Sequence, residues 1–151
     1  MNHKTCLHFR LLPLWLAGSV LLLALSACGK EGSTPAKTAT KPENVSITGI
    51  HTGLGIGKYN HVAQEKSVFS PKDTIILSVY SDGWAKTATI GVKWMTASGK
   101  VLAENSQDVI YNGSLATPFS FSKPEGLPPG KYKAEVTLNG WLAETAKFEV
   151  N

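Results

Sequence analysis

Residues 131–138 read Lys131-Tyr132-Lys133-Ala134-Glu135-Val136-Thr137-Leu138. In an extended chain successive side chains point to opposite faces, so Tyr132, Ala134, Val136 and Leu138 share one face and Lys131, Lys133, Glu135 and Thr137 the other. An apolar face backed by a charged one at period two predicts a half-buried β-strand. Turn signals close it on both sides, Pro128-Pro129-Gly130 before and Asn139-Gly140 after.

The same period recurs outward from this stretch. Ile75, Leu77 and Val79 alternate within Asp73 to Tyr80, and Ile90, Val92 and Trp94 within Thr87 to Met95. Phe119 and Phe121 alternate with Ser120 and Ser122. Further turn signals stand at Ser81-Asp82-Gly83, Ala97-Ser98-Gly99 and Tyr111-Asn112-Gly113. No long segment carries a capped helical period. Seven strands follow, near Val45–Ile50, Thr74–Tyr80, Thr87–Met95, Val101–Ile110, Thr117–Ser122, Lys131–Leu138 and Leu142–Val150. The expected fold is an all-β antiparallel sandwich spanning residues 44–151. That length supports one compact core and is too short for two ordinary domains.

Parity constrains the last hairpin. A two-residue Asn139-Gly140 loop pairs Leu138 with Trp141 and would turn Lys147 and Glu149 inward while exposing Phe148. Either a three-residue loop or an early bulge in the last strand restores the burial of Phe148 and Val150. Both repairs leave Trp141 outside the core. Trp94 belongs inside by its strand parity, and Trp84 falls in the connection before its strand.

Two further features resemble immunoglobulin-like domains: a core tryptophan on the third strand, Trp94, and a tyrosine opening the sixth strand after a glycine turn, Gly130-Lys131-Tyr132. The resemblance implies structural core roles for Trp94 and Tyr132. Where such domains carry their second disulfide cysteine, this chain has Ala134. Residues 69–150 also look like uncharacterised β-sandwich modules of bacterial envelope lipoproteins, in Ser122-Lys123-Pro124-Glu125-Gly126-Leu127-Pro128-Pro129-Gly130-Lys131-Tyr132 and in the closing Phe148-Glu149-Val150.

The N-terminus tells where such a domain would sit. Residues 1–10 carry Lys4 and Arg10 and no acid, residues 11–25 are apolar, and small residues Ser26-Ala27 precede Cys28. That tripartite pattern predicts a secretory signal peptide over residues 1–27. A membrane-spanning helix fits less well, because a span needs about 20 apolar residues and Pro13 and Gly18 interrupt this run. Leu25-Ser26-Ala27-Cys28 resembles the lipobox of bacterial lipoproteins, which implies diacylglyceryl and palmitate-type acylation at Cys28. Two or more acyl chains anchor a protein stably where one does not. By the same resemblance, Gly29 rather than Asp after the cysteine favours the outer membrane, facing the periplasm.

Residues 29–43 contain no large apolar side chain and mix Ser, Thr, Pro, Gly and Lys, the composition of a flexible tether. Fully extended it reaches about 50 Å, and as a coil about 20 Å. The chain has two cysteines, Cys6 in the leader and Cys28. The mature domain therefore has no thiol for a disulfide, a nucleophile or a metal. Loss of Lys4 and Arg10 from 15 basic residues leaves 13 against 11 acidic ones, a net of +2. The charges are interspersed, which argues against nucleic acid as a partner.

Catalytic patterns fail one by one. His51 and His61 could meet across a hairpin, but no third ligand stands at metal spacing, so no metal site is expected. Gly53-Leu54-Gly55-Ile56-Gly57 lacks the spacing and the helix of a phosphate loop. No serine occupies a Gly-x-Ser-x-Gly elbow, and Asp73, Asp82, Glu104 and Asp108 fall in different elements. The sequence calls for no cofactor and no enzyme. It points to a non-catalytic binding or assembly module on the cell envelope, with an envelope protein or a glycan as partner and Trp84 and Trp141 as the candidate binding surface. The alternative is a periplasmic inhibitor or chaperone-like protein acting on a soluble client.

Overall fold

The computed structural model describes residues 44–151. The expected signal peptide, Cys28 and the tether lie outside the described residues. The strands are β1 (Val45–Ile56), β2 (Val62–Glu65), β3 (Val68–Phe69), β4 (Ile75–Thr96), β5 (Val101–Asn112), β6 (Leu115–Phe121), β7 (Gly130–Leu138) and β8 (Trp141–Val150). They build an immunoglobulin-like sandwich. One sheet runs β2, β1, first half of β4, β6. The other runs β5, second half of β4, β7, β8, β3, all antiparallel except β3 with β8.

The largest departure from the sequence reading is β4. Ser81-Asp82-Gly83 is not a loop: one strand of 22 residues passes from the first sheet into the second. Its partner turns the same corner. β5 pairs with residues 84–95 and β6 with residues 75–81, and Gly113 between them donates its N–H to the Gly83 carbonyl at 2.9 Å. Both glycines have positive φ, 149° and 131°. Strands that switch sheets commonly do so at bends and bulges. Here Ala85 faces Tyr111 while Ala88 faces Val109, so β4 carries one extra residue. That residue inverts the parity. Ile75, Leu77 and Val79 are buried before it, and Ala88, Ile90, Val92 and Trp94 after it. An extended strand with a bulge and a loop between two strands read alike in sequence.

The last hairpin takes the early-bulge repair. Asn139 and Gly140 form the turn with φ of 50° and 87°, and Leu138 pairs with Trp141. The register then slips so that Val136 faces Glu144, and Phe148 and Val150 end inside. Tyr132 donates its hydroxyl to the Pro128 carbonyl at 2.6 Å, a tyrosine corner that pins the chain entering β7. Opposite Trp94 in the ladder stands Ala134, whose small side chain leaves the indole room. β2 and β3 lie in residues that the sequence reading left without strands.

Two buried hydroxyls stand out in this core. Ser81 and Tyr111 lie beside one another at the corner, and neither oxygen meets hydrogen-bond geometry with any partner. Burial raises the Tyr111 phenol above its ordinary value, and the neighbouring Ser81 hydroxyl offsets part of that rise. An acid whose folded pKa is raised contributes stability below its unfolded value, about 10, and loses it as pH rises through the folded one. Removing an unsatisfied buried hydroxyl is close to neutral. Tyr111→Phe therefore changes stability at pH 7 by less than about 1 kcal/mol, and it reduces the destabilisation seen at pH 11. Urea midpoints of both proteins at the two pH values test this. A larger loss at pH 7 would mean that the hydroxyl is bonded.

Candidate functional site

The corner of β4 exposes Trp84. It pairs with Asn112, and the parity that turns the partly buried Ala85 and the buried Tyr111 inward turns Trp84, Asn112 and Ile110 to the outer face. Trp84 is 69% exposed and Ile110 74%. Diagonal positions across an antiparallel pair lie about 7–8 Å apart, so these two side chains share one apolar patch. The first described residue lies here too: the Trp84 N–H donates to the Asn44 carbonyl at 2.9 Å.

Trp141 stands elsewhere, on the opposite side of the second sheet from Trp84, and is 52% exposed. It faces Leu138, which faces Ile90, so two strand spacings and about five rungs of β4 separate it from Trp84. That is about 10 Å sideways and about 16 Å along the strand. The structure thus pairs Trp84 with Ile110 rather than with Trp141. Ile110 escaped notice in the sequence because its parity depends on the bulge.

A second surface forms on the outer face of the first sheet. Ile76, Ser78 and Tyr80 point outward from β4, yet Ile76 and Ser78 are buried. Residues 57–65 cover them. β1 parts from β4 after Gly53 and runs on to Ile56, the chain turns tightly at Lys58–Asn60, and it returns as β2. This flap is fastened through Asn60, whose carbonyl accepts from Ser78 Oγ at 2.5 Å and whose Nδ2 donates to the Ala116 carbonyl at 3.2 Å. The Gly57 N–H closes the turn on the His61 carbonyl at 2.7 Å.

The two histidines both pack on Tyr80 at this flap. His51 and His61 each place their ring centroid 4.7 Å from that of Tyr80. His51 Nδ1 also lies 2.8 Å from a Glu65 carboxylate oxygen. Burial, and secondarily the Glu65 charge, raise the Tyr80 phenol above its ordinary value, so it remains a proton donor at neutral pH. Among the described residues no group of three or more His, Cys, Asp or Glu is placed to hold a metal.

Tyr59 carries no sequence signal that would single it out. It has φ 56° and ψ 30°, and Asn60 follows with φ 64°. Asparagine enters the left-handed region readily, whereas a bulky residue there costs roughly 1–2 kcal/mol. Tyr59 is nevertheless 74% exposed. Burial does not offset its strain. The Lys58 ammonium lies 4.7 Å from the ring centroid and covers one face. Tyr59, His61 and Tyr80 line an open groove of about 700 Å³ with Thr48, Asn60 and Ser114.

No protein-family model and no curated protein matches the chain. Among solved structures, the C-terminal domain of wzt is similar with a TM-score of 0.52 and 11% identity, over 75% of this chain and 81% of that one. This likeness shows the fold alone. An immunoglobulin-like protein from Pseudomonas aeruginosa has 14% identity and a TM-score of 0.45, over 76% of this chain and 99% of its own. The alkylpurine DNA glycosylase AlkC of Pseudomonas fluorescens, bound to DNA containing an abasic site analog, has 15% identity and a TM-score of 0.46 over 71% of this chain. The chain spans 30% of that glycosylase's length. At these scores neither bears on what this chain does.

Proposed function

We propose that the chain is a lipoprotein of the bacterial envelope, acylated at Cys28, whose sandwich is a non-catalytic binding module held close to the outer membrane. The observation that carries this reading is the hydrogen bond between Trp84 and Asn44. The segment leading back to Cys28 joins the domain beside the exposed Trp84–Ile110 patch. The 15 residues between Cys28 and Asn44, expected from composition to be a tether of about 20 Å as a coil, would keep that patch within reach of the surface to which Cys28 is fixed. Tryptophan favours the membrane–water interface, and an exposed aromatic beside a branched aliphatic makes a compact contact. Lys86, exposed on the bulge two residues after Trp84, adds a positive charge near this patch.

Two measurements divide the reading into its parts. Cys28→Ala is expected to abolish fatty-acid labelling and to accumulate as uncleaved precursor; label persisting in the variant would sink the anchor. Separately, quenchers carried by vesicle lipids are expected to dim the mature lipidated protein more than its Trp84→Phe variant, with melting temperatures within about 2 °C of each other, because an exposed substitution changes stability little. Equal quenching of both would remove the membrane from this face and leave an envelope partner as its occupant.

A further inference from the structure

We propose that the groove beside the flap binds an uncharged sugar ring stacked on Tyr59. This goes beyond the anchored-module reading and stands whether or not Trp84 meets the membrane.

The first reason is the presentation of Tyr59. Its left-handed backbone is strained, and its ring is neither buried nor hydrogen-bonded into the fold. Glycine adopts this backbone without strain, so the turn itself does not call for a tyrosine. Strain that the fold does not need points to use by a ligand. The fastening of Asn60 to Ser78 and Ala116 holds the strained turn in one place, so the ring is presented rigidly. Lys58 covers one face of the ring, and Tyr59 lines the groove.

The second reason is the chemistry of the lining. The groove is of a size that suits a small ligand. Its walls are aromatic rings alternating with the hydroxyls of Thr48 and Ser114 and the amide of Asn60, and no charged side chain lines it. The charges beside it are engaged, the Lys58 ammonium over the Tyr59 ring and the Asp82 carboxylate accepting from Ser114 Oγ at 2.6 Å, which favours an uncharged ligand. A purely apolar molecule would strip water from the hydroxyls without replacing it, which is costly. A sugar ring satisfies both wall types. Its C–H face packs on an aromatic ring, and its hydroxyls both donate and accept, as do those of serine and threonine.

The test titrates the mature chain, residues 28–151, with neutral tetrasaccharides of glucose, galactose and N-acetylglucosamine, following backbone amide resonances. At least one is expected to saturate in the millimolar range, with shifts centred on residues 59–61, 80 and 114–116. Tyr59→Gly is expected to weaken that binding more than about tenfold while raising the melting temperature by a few degrees, since glycine relieves the left-handed strain. Tyr59→Asn, which also tolerates this backbone, repeats the test should the glycine variant fold poorly. A purely structural Tyr59 gives the opposite sign, a lowered melting temperature, and overturns the proposal. So does the absence of saturable shifts with all three sugars, or the same shifts produced by inorganic phosphate or zinc.

Discussion

Trp94→Ala is expected to lower the stability of the domain by about 3–5 kcal/mol, the range for truncating a buried large aromatic. The indole is fully buried and sits where the two sheets face each other. It stacks on Phe121 from the first sheet at 5.0 Å between centroids and meets Phe148 of the second edge-on at 6.2 Å. Phe148 in turn stacks on Tyr132 at 5.5 Å and meets Phe69 edge-on at 5.7 Å. Truncation therefore opens a void that touches both sheets. It also leaves Asn105 without the Nε1–H that it accepts at 3.1 Å. Trp94→Phe fills most of the void but not the hydrogen bond, and should cost clearly less. Urea unfolding at constant m-value provides the comparison. A loss below about 1 kcal/mol for the alanine variant would contradict the packing described.

Gly53→Ala is expected to cost about 1–3 kcal/mol, as overpacking does, and to lift the flap from the first sheet. A β-carbon at Gly53 would stand 2.0 Å from the Gln64 carbonyl oxygen and 2.5 Å from Val62, and the first of these is backbone that cannot turn aside. Relief requires β2 to move away from β1. Gly49, four residues earlier on the same strand, provides the control: its nearest neighbours would be 3.8 Å away, so Gly49→Ala should shift stability by less than about 0.5 kcal/mol. Amide exchange of residues 62–65 reports the flap directly. It should accelerate in Gly53→Ala and stay unchanged in Gly49→Ala. Equal protection in both would mean that the flap tolerates the extra carbon.

What the sequence revealed and what it hid divide along physical lines. Alternation exposed β7, the second half of β4, and the inward faces of β6 and β8, because each has one wet and one dry side; it also showed Ile75, Leu77 and Val79 in the first half of β4, where the flap covers the other face. The parity conflict in the last hairpin even required a repair, and the bulge at Ala143 supplies it. The corner stayed hidden because Gly83 and Asn112-Gly113 carry turn chemistry in a place where the chain bends without reversing. The Trp84–Ile110 patch went with it, since its facing depends on one extra residue. The flap was illegible for another reason. Its residues cover a sheet face that is itself partly polar, so Ser78 is buried by a neighbour rather than by its own hydrophobicity. The left-handed Tyr59 has no local signature at all.

The corner also bears on how the chain finds this structure. The turn at Ala97–Gly99 closes a hairpin whose two arms, residues 75–96 and 101–121, pair along both sheets. Every rung of it forms between residues of one contiguous stretch, so the hairpin can zip from its turn outward before either terminus takes part. β1 and β7 then add to the free edge of β4, β1 along its first half and β7 along its second, over longer loops that close late. Mutations along the 75–121 hairpin should therefore slow folding, whereas those in β1, the flap or β8 should chiefly hasten unfolding. A domain secreted unfolded and held at its N-terminus would thus have its central spine assembled before the end nearest its tether is in place.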